Sequence, residues 1–89
     1  MVQAEITLNN ELGLHARPAD LFVRTANKFK SDIKVSNLST GSNDVNAKSI
    51  LRILTLGVYG GHTIRVSAEG EDEGQALAAI SALIEHNFE

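Results

Sequence analysis

The residues with the clearest capacity for chemistry lie in one short segment, from Gly13 to Arg17. His15 stands directly before a predicted amphipathic helix, with Gly13 two residues before it and Arg17 two residues after it. The first N–H groups of a helix have no partner inside it and carry the positive end of its dipole, so they favour an anion. Gly13 allows a tight approach of the chain, and Arg17 adds a permanent charge with a fork of donors. The segment therefore predicts an anion site that contains a nucleophile.

The same positive surroundings act on His15 itself. Because the helix end and Arg17 both disfavour an imidazolium, we expect a neutral and nucleophilic imidazole near pH 7. Such a ring can accept a phosphoryl group, which the backbone N–H groups of Ala16 and Arg17 and the Arg17 side chain would hold without a metal. The simpler interpretation is that His15 is only a polar N-cap of the helix, and spacing alone favours it.

Apolar periodicity predicts the elements that must position this segment. Alternation with a period of two predicts strands over residues 2–8, 33–35 and 64–68, and a short strand near residues 44–47 closes a hairpin through the polar loop 37–43. Helical spacing predicts helices from residue 16 to about residue 30, over residues 49–56, and after the acidic residues 71–73. Ser49 is the expected N-cap of the second helix, worth about 1 kcal/mol, and Gly57 is its expected left-handed stop.

The order β-α-β-β-α-β-α predicts an α+β fold in which the helices cover one face of a small antiparallel or mixed sheet. With 89 residues, residues 1–89 are expected to form a single domain. The strand pairing does not follow from periodicity.

Composition excludes several classes of site. The chain has no cysteine, which excludes disulfides, thiolate zinc sites, iron–sulfur clusters and a cysteine nucleophile. No signal-peptide or membrane-spanning pattern is present in the sequence, so we expect a cytoplasmic protein that does not insert into a membrane. Residues 1–68 hold all eight Lys and Arg against five acids, whereas residues 69–89 hold six acids and no base. This asymmetry suggests a positive face for an acidic partner, with solubility as the alternative explanation.

The short helix over residues 50–56 is too apolar for one buried face. Its aliphatic side chains span roughly 220° at about 100° per residue, and only Arg52 and Thr55 are polar. We therefore expect exposed apolar side chains, which usually mark a docking surface. The alternative is that another segment or a second copy of the chain covers them.

The string G-L-H-A-R-P-A at residues 13–19 closely resembles the active-site signature of the HPr phosphocarriers of the bacterial sugar phosphotransferase system. The resemblance continues through Phe22-Val23, residues 45–50, Leu56-Gly57 and residues 68–73, so it covers essentially the whole chain. It implies the open-faced β-sandwich of that family, with a four-stranded antiparallel sheet and three helices on one face.

The resemblance also implies a function. His15 would be phosphorylated on a ring nitrogen by Enzyme I, with phosphoenolpyruvate as the ultimate donor, and would pass the phosphoryl group to IIA domains of sugar permeases. Arg17 would be the counter-ion of the phosphate. Such a protein is a covalent carrier and not an enzyme, needs no cofactor or metal, has no nucleic-acid partner, and is expected to be a monomer. The short apolar helix would dock both partners through the following candidate residues: Ile50, Leu51 and Leu54, with Arg24, Lys28 and Arg52 as basic neighbours.

The string Lys48-Ser49-Ile50 resembles the regulatory site of HPr in many Gram-positive bacteria. There an ATP-dependent kinase, the HPr kinase/phosphorylase, modifies the serine, and a transcriptional regulator reads it. A phosphate on Ser49 would be tolerated by the helix end and would repel acidic partners. Two alternative functions stay open: a regulatory relative, either nitrogen-related or a Ser49-modified corepressor, and a small acylphosphatase-like enzyme that uses His15 and Arg17 without a partner protein.

Three departures from the family pattern are expected to tune the site. Leu12 stands where many members have a small polar residue, and the loop over residues 38–44 is longer than usual. Asp20 follows Arg17 by three residues, so it could pair with Arg17 and compete for the phosphate. His62 and His86 show no ligand pattern and are expected on the surface.

Overall fold

The computed structural model of the chain describes residues 1–10 and 13–88, so the prediction made for Leu12 lies outside the described residues. The elements follow one another as β1 Val2–Thr7, α1 Ala16–Ala26, β2 Asp32–Asn37, β3 Val45–Asn46, α2 Ile50–Thr55, β4 Thr63–Glu69 and α3 Glu73–Glu85. The predicted β-α-β-β-α-β-α order is confirmed.

The four strands form one antiparallel sheet in the order β1-β4-β2-β3. Strand β4, one of the two central strands, pairs with β1 on one side and β2 on the other, so that Ala68 lies opposite both Val2 and Ile33. The predicted hairpin joins β2 to β3, which pair at Val35 and Val45. The open antiparallel sheet with helices on one face is confirmed, and the mixed sheet is excluded.

The core lies between one face of this sheet and the helices. The sheet supplies alternate aliphatic side chains of its two central strands, and each helix supplies one apolar stripe. The buried members of these groups are Ile33, Val35, Ile64, Val66 and Ala68 from the sheet, with Ala19, Phe22, Ala26, Ile53, Ala76, Ile80 and Ile84 from the helices. The opposite sheet face carries polar side chains, so the sheet is covered on one side only.

The first helix ends four residues earlier than the sequence predicts. Asn27 donates from Nδ2 to the carbonyl of Val23 at 2.9 Å, and this side-chain bond competes with continued α-helix. The N–H groups of Lys28 and Phe29 then reach back only three residues, to Thr25 and Ala26. Residues 27–29 therefore continue as a tight turn and not as α-helix.

Asp72 connects the turn after α1 to the start of α3. Its carboxylate accepts hydrogen bonds from the hydroxyl of Ser31 at 2.5 Å and from the N–H groups of Lys30 and Ser31 at 2.8 and 2.9 Å. The hydroxyl of Ser31, followed by the N–H of Lys30, lowers the pKa of Asp72 to about 2. The charged form of this carboxylate thus holds the two segments together.

The longest helix in the described part of the chain has 13 residues, so none of the described helices can cross a bilayer.

Candidate functional site

His15 lies immediately before α1 with an extended backbone, at φ −121° and ψ 154°. This is the N-cap position, yet the His15 side chain makes no capping hydrogen bond. Its Nε2 atom is buried and has no hydrogen-bond partner among the described residues. The structure therefore does not support the interpretation of His15 as only a polar cap, because the imidazole makes no hydrogen bond to the described residues.

Among the described residues, the start of α1 contains no anion of its own. No acidic residue occupies its first turn, and no described carbonyl outside the helix accepts a hydrogen bond from the N–H of Ala16 or Arg17. Such N–H groups carry the positive end of the helix dipole. The structure thus places the predicted nucleophile beside donors that can hold a phosphate.

Ala16 links His15 to the helix in a strained conformation. Its φ of 49° lies in the left-handed region, which costs a non-glycine residue roughly 1–2 kcal/mol. Strain of this kind persists only where the surroundings impose it, and it is concentrated at functional sites. The sequence gives no signal for it, because alanine is the best helix former.

Gly13 makes the close approach that its position predicts. A Cβ on Gly13 would lie 2.2 Å from the carbonyl oxygen of Val58 and 2.6 Å from the Cα of Tyr59, and its φ is +65°. The next residue, Leu14, donates its N–H to the same Val58 carbonyl at 3.0 Å. The segment that follows α2 is therefore pressed against the segment that carries His15.

Tyr59 is the residue that this approach brings to the imidazole. Its ring centroid lies 4.8 Å from that of His15, with the planes tilted by 42°, and the residue is 55% exposed. No motif in the sequence assigns Tyr59 a role. The available signal was its position: it is one of four aromatic residues in the chain and lies among the turn residues Gly57, Gly60 and Gly61, where no core stripe calls for an aromatic side chain.

His62 and Asn37 support Tyr59 from the other side. The Nδ1 of His62 accepts a hydrogen bond from the N–H of Tyr59 at 3.2 Å and lies 3.1 Å from the Nδ2 of Asn37. Both partners are donors, so they assign Nδ1 as the acceptor and place the proton of the neutral ring on Nε2. The prediction of a surface residue is confirmed for His86 and wrong for His62, which is half-buried. Asn37, predicted in a loop, is the fully buried last residue of β2.

The helix α2 exposes the apolar side that the sequence predicts. Ile50, Leu51 and Leu54 are 38, 73 and 41% exposed, whereas Ile53 is completely buried. Because Leu51 and Leu54 are three residues apart, they lie on one helix face. The basic residue Arg52 is exposed on the same helix.

Ser49 begins α2 as its N-cap, because its Oγ accepts a hydrogen bond from the N–H of Arg52 at 3.4 Å. The carbonyl of Lys48 accepts a bond from Asn27 Nδ2 at 3.3 Å, and Lys48 Nζ donates to the carbonyl of Phe29 at 2.7 Å. These bonds tie the start of α2 to the C-terminal end of α1, whereas Tyr59 lies at the N-terminal end of α1, beside His15. Ser49 and His15 are therefore not brought together: α1 separates them, and its 11 residues span about 16 Å.

The expected competition of Asp20 for Arg17 is wrong. The carboxylate of Asp20 accepts a hydrogen bond from Arg24 Nε at 2.9 Å, one helical turn further on. Arg17 is exposed and has no ion pair among the described residues, so its guanidinium is available to a ligand. Of the other basic candidates, Lys28 is exposed just beyond the end of α1.

Comparison with known proteins gives one consistent result. Residues 2–86 match a family model, PTS-HPr, described as the PTS HPr component phosphorylation site. The chain is 44% identical over 88 residues to the phosphocarrier protein HPr of Xylella fastidiosa (strain Temecula1), covering 99% of this chain and 96% of that one. It is 49% identical to HPr-C-His from Thermoanaerobacter tengcongensis, whose crystal structure superposes with a TM-score of 0.93 over 99% of this chain and 96% of that chain.

A second kind of relative is much longer. The chain is 43% identical over 84 residues to the multiphosphoryl transfer protein of Salmonella typhimurium, covering 94% of this chain. This chain spans only about a fifth of that relative's length, since the match covers 22% of it.

Proposed function

Because the chain belongs to the PTS-HPr family of phosphocarriers, we propose that it accepts a phosphoryl group on His15 from phosphorylated Enzyme I and passes it to IIA domains of sugar permeases. The observation that carries this proposal is the start of α1. Among the described residues, the His15 imidazole there makes no hydrogen bond, the first N–H groups of the helix have no partner outside it, and its first turn holds no carboxylate. The protein acts as a covalent carrier and not as an enzyme that turns over alone. Its place of action is the cytoplasm, where phosphoenolpyruvate supplies the donor.

Nδ1 is the ring nitrogen that reacts. Nε2 of His15 is buried, so a donor protein cannot reach it without moving the ring. The lone pair of Nδ1 bonds to phosphorus while the bond from phosphorus to the donor atom of Enzyme I breaks, and the electron pair of that bond stays with Enzyme I. In the second transfer an acceptor atom of the IIA domain attacks phosphorus, and the N–P electron pair returns to Nδ1.

Backbone N–H donors and one charged side chain hold the phosphoryl group between the two transfers. The N–H groups of Ala16 and Arg17 and the guanidinium of Arg17 can donate to its oxygens, and donors aimed at a developing charge act without reorganisation. Among the described residues, the carboxylate nearest in sequence is that of Asp20, and it is engaged by Arg24.

The partners dock on α2. Its exposed residues Ile50, Leu51 and Leu54 supply the apolar surface, and the exposed residues Arg24, Lys28 and Arg52 are the proposed basic contacts. Leu51 is the most exposed of the three apolar side chains, so Leu51→Ala should raise KM for Enzyme I and leave kcat unchanged.

The deciding experiment is the intact mass of the protein after incubation with phosphoenolpyruvate and Enzyme I. We expect the gain of one phosphoryl group, which is lost on brief acid treatment and does not appear in His15→Ala. Arg17→Ala should reduce the initial rate at least about tenfold, since it removes a charged donor. No mass gain, with Enzyme I itself shown to be phosphorylated, would reject the carrier function.

Ser49 is a proposed second, regulatory phosphorylation site. It caps α2, and a phosphate there would meet the positive end of that helix, at the margin of the docking surface. HPr kinase/phosphorylase and a transcriptional regulator are the proposed partners. Ser49→Asp should raise KM for Enzyme I more than Ser49→Ala does. Equal effects of the two variants would leave Ser49 with its capping role alone.

The relatives named above are two HPr proteins and a multiphosphoryl transfer protein, and these three give no support to a regulatory relative or to a small acylphosphatase-like enzyme.

A further inference from the structure

The His15 ring is oriented by packing. Its side chain makes no capping bond, and Nε2 has no partner among the described residues. The aromatic contact found for the imidazole is the ring of Tyr59, at a centroid distance of 4.8 Å. A side chain held by no polar bond keeps one rotamer only where its neighbours exclude the others.

Tyr59 is itself held in place at three points. Its N–H donates to Nδ1 of His62 at 3.2 Å, and its carbonyl accepts the N–H of His62 at 3.1 Å. The ring of His62 meets the Tyr59 ring edge-on, at 5.8 Å and 87°. His62 is anchored in turn by Asn37, which is completely buried at the end of β2. A continuous series of contacts therefore runs from the interior of the sheet to the imidazole.

Backbone contacts also fix the position of the segment that carries Tyr59 relative to the segment that carries His15. The missing Cβ of Gly13 lets the chain before His15 approach Tyr59, and the Leu14 N–H bond to Val58 closes the same contact. The position of Tyr59 relative to His15 is thus set by the backbone as well as by the rings.

We propose that Tyr59 is a positioning residue for phosphoryl transfer: its ring, seated between His15 and His62, holds the imidazole with Nε2 turned inward and Nδ1 turned toward the donor. This inference rests on the proposed carrier function of His15. Orientation of a nucleophile is a major source of rate enhancement, and small displacements of a reacting group are costly. Tyr59 acts through His15, so its effect should appear in the rate of transfer and not in the binding of partners.

The test compares Tyr59→Ala with Tyr59→Phe, using Enzyme I as the catalyst and this protein as its substrate. An aromatic pair of this geometry corresponds to about a 2- to 10-fold effect, so we expect Tyr59→Ala to lower kcat by that factor with little change in KM. Tyr59→Phe keeps the ring and should restore kcat to within about twofold of the unchanged protein. Leu51→Ala is the matched control, because it removes an exposed apolar side chain from the docking helix and should change KM instead.

A second measurement follows the imidazole directly in the unphosphorylated protein. NMR should show cross-peaks between the ring protons of His15 and Tyr59, together with a ring-current shift of the His15 protons that persists in Tyr59→Phe and is lost in Tyr59→Ala. Because the Tyr59 side chain is largely exposed, both variants should unfold at nearly the temperature of the unchanged protein.

Several outcomes would overturn the inference. These are an unchanged kcat in Tyr59→Ala, equal defects in the Ala and Phe variants, or the absence of His15–Tyr59 cross-peaks in the unchanged protein. If the unchanged protein accepts no phosphate, the carrier function fails. In that case the NMR comparison still decides whether Tyr59 orients His15.

Discussion

The N-termini of α1 and α3 both follow a glycine with positive φ, but they differ in the acidic side chains that lie beside them. At α3, Glu73 lies in the first turn, accepts the N–H of Gly70 at 3.4 Å and pairs with the amino terminus at 3.2 Å. These two contacts lower the pKa of Glu73, as three hydrogen bonds do for Asp72. In the part of the chain that the structure describes, the first turn of α1 has no acid and its N-cap makes no side-chain bond. One helix start carries its own anions, and the other holds none among the described residues.

The two helix starts also differ in how they are held. At α3 the contact is made by a charged side chain, since Asp72 binds Lys30 and Ser31. At α1 the contact is made by backbone, since Gly13 lies against Val58 and Tyr59. Under the proposed carrier function this difference is useful, because a backbone contact does not titrate and does not compete with an incoming phosphate.

The largest expected effect comes from breaking the backbone contact at α1 with Gly13→Ala. The new Cβ would lie 2.2 Å from the Val58 carbonyl oxygen, at a φ of +65°. Left-handed strain of about 1–2 kcal/mol and overpacking of about 1–3 kcal/mol add, so we expect a loss of about 3 kcal/mol in the free energy of unfolding. Urea unfolding measures it.

Gly41→Ala is the matched control for that substitution. Gly41 has a similar φ of +72°, but no heavy atom lies within 4 Å of its missing Cβ. It should lose only the conformational part, about 1–2 kcal/mol. Equal losses for Gly13→Ala and Gly41→Ala would mean that the close approach to Val58 and Tyr59 is not what requires Gly13.

The next largest effect concerns the carboxylate at α3. Asp72→Asn removes the charged acceptor of three hydrogen bonds, so it should lower the midpoint of thermal unfolding at pH 7. The folded pKa of Asp72, about 2, is below the ordinary value of about 4, so its charged form stabilises the fold above pH 4. That contribution is lost as the pH falls from about 4 to 2.

The difference between Asp72→Asn and the unchanged protein should therefore be largest at neutral pH and should shrink across that acid range. Thermal unfolding followed by circular dichroism from pH 7 to pH 2 measures it. A constant difference at every pH would show that the charge of Asp72 is not what holds the turn after α1.

The sequence predicts the helices and strands better than it predicts which distant residues contact the two helix starts. Alternation located the strands, and the wide apolar arc of α2 correctly predicted exposed leucines, because both are local patterns. The residue brought to His15 is Tyr59, which is 44 positions along the chain. No local pattern encodes that proximity, since it depends on the path of the segment that follows α2 and contacts the chain before α1.

Local competition explains the smaller errors. Asn27 ended α1 early because its side chain competes for a backbone carbonyl, which helical periodicity does not register. Asp20 was expected to pair with Arg17 at three residues, but Arg24 at four residues supplies the better geometry. In both cases a side chain one helical turn away decides the outcome, and apolar periodicity does not contain that information.

A third prediction compares alanines in the two helices. Ala16 has a φ of 49° at the start of α1, whereas Ala78 is an exposed residue in the interior of α3. Glycine relieves left-handed strain, so Ala16→Gly should stabilise the protein by up to about 1 kcal/mol. Ala78→Gly should destabilise it by about 1 kcal/mol, the ordinary helix cost. Urea unfolding distinguishes the opposite signs, and destabilisation by both would remove the strain assigned to Ala16.

The smallest expected effect tests whether the start of α1 is free of internal anions. Asp20→Asn removes a carboxylate one turn into that helix, and its exposed pair with Arg24 is worth only about 0.3–0.5 kcal/mol. Since Asp20 does not engage Arg17, phosphoryl transfer from Enzyme I should change less than about twofold, against at least about tenfold for Arg17→Ala. A clear rise in transfer rate with Asp20→Asn would mean that Asp20 does reach Arg17 in solution. The start of α1 would then carry a competing anion, as α3 does, and the contrast between the two helices would fail.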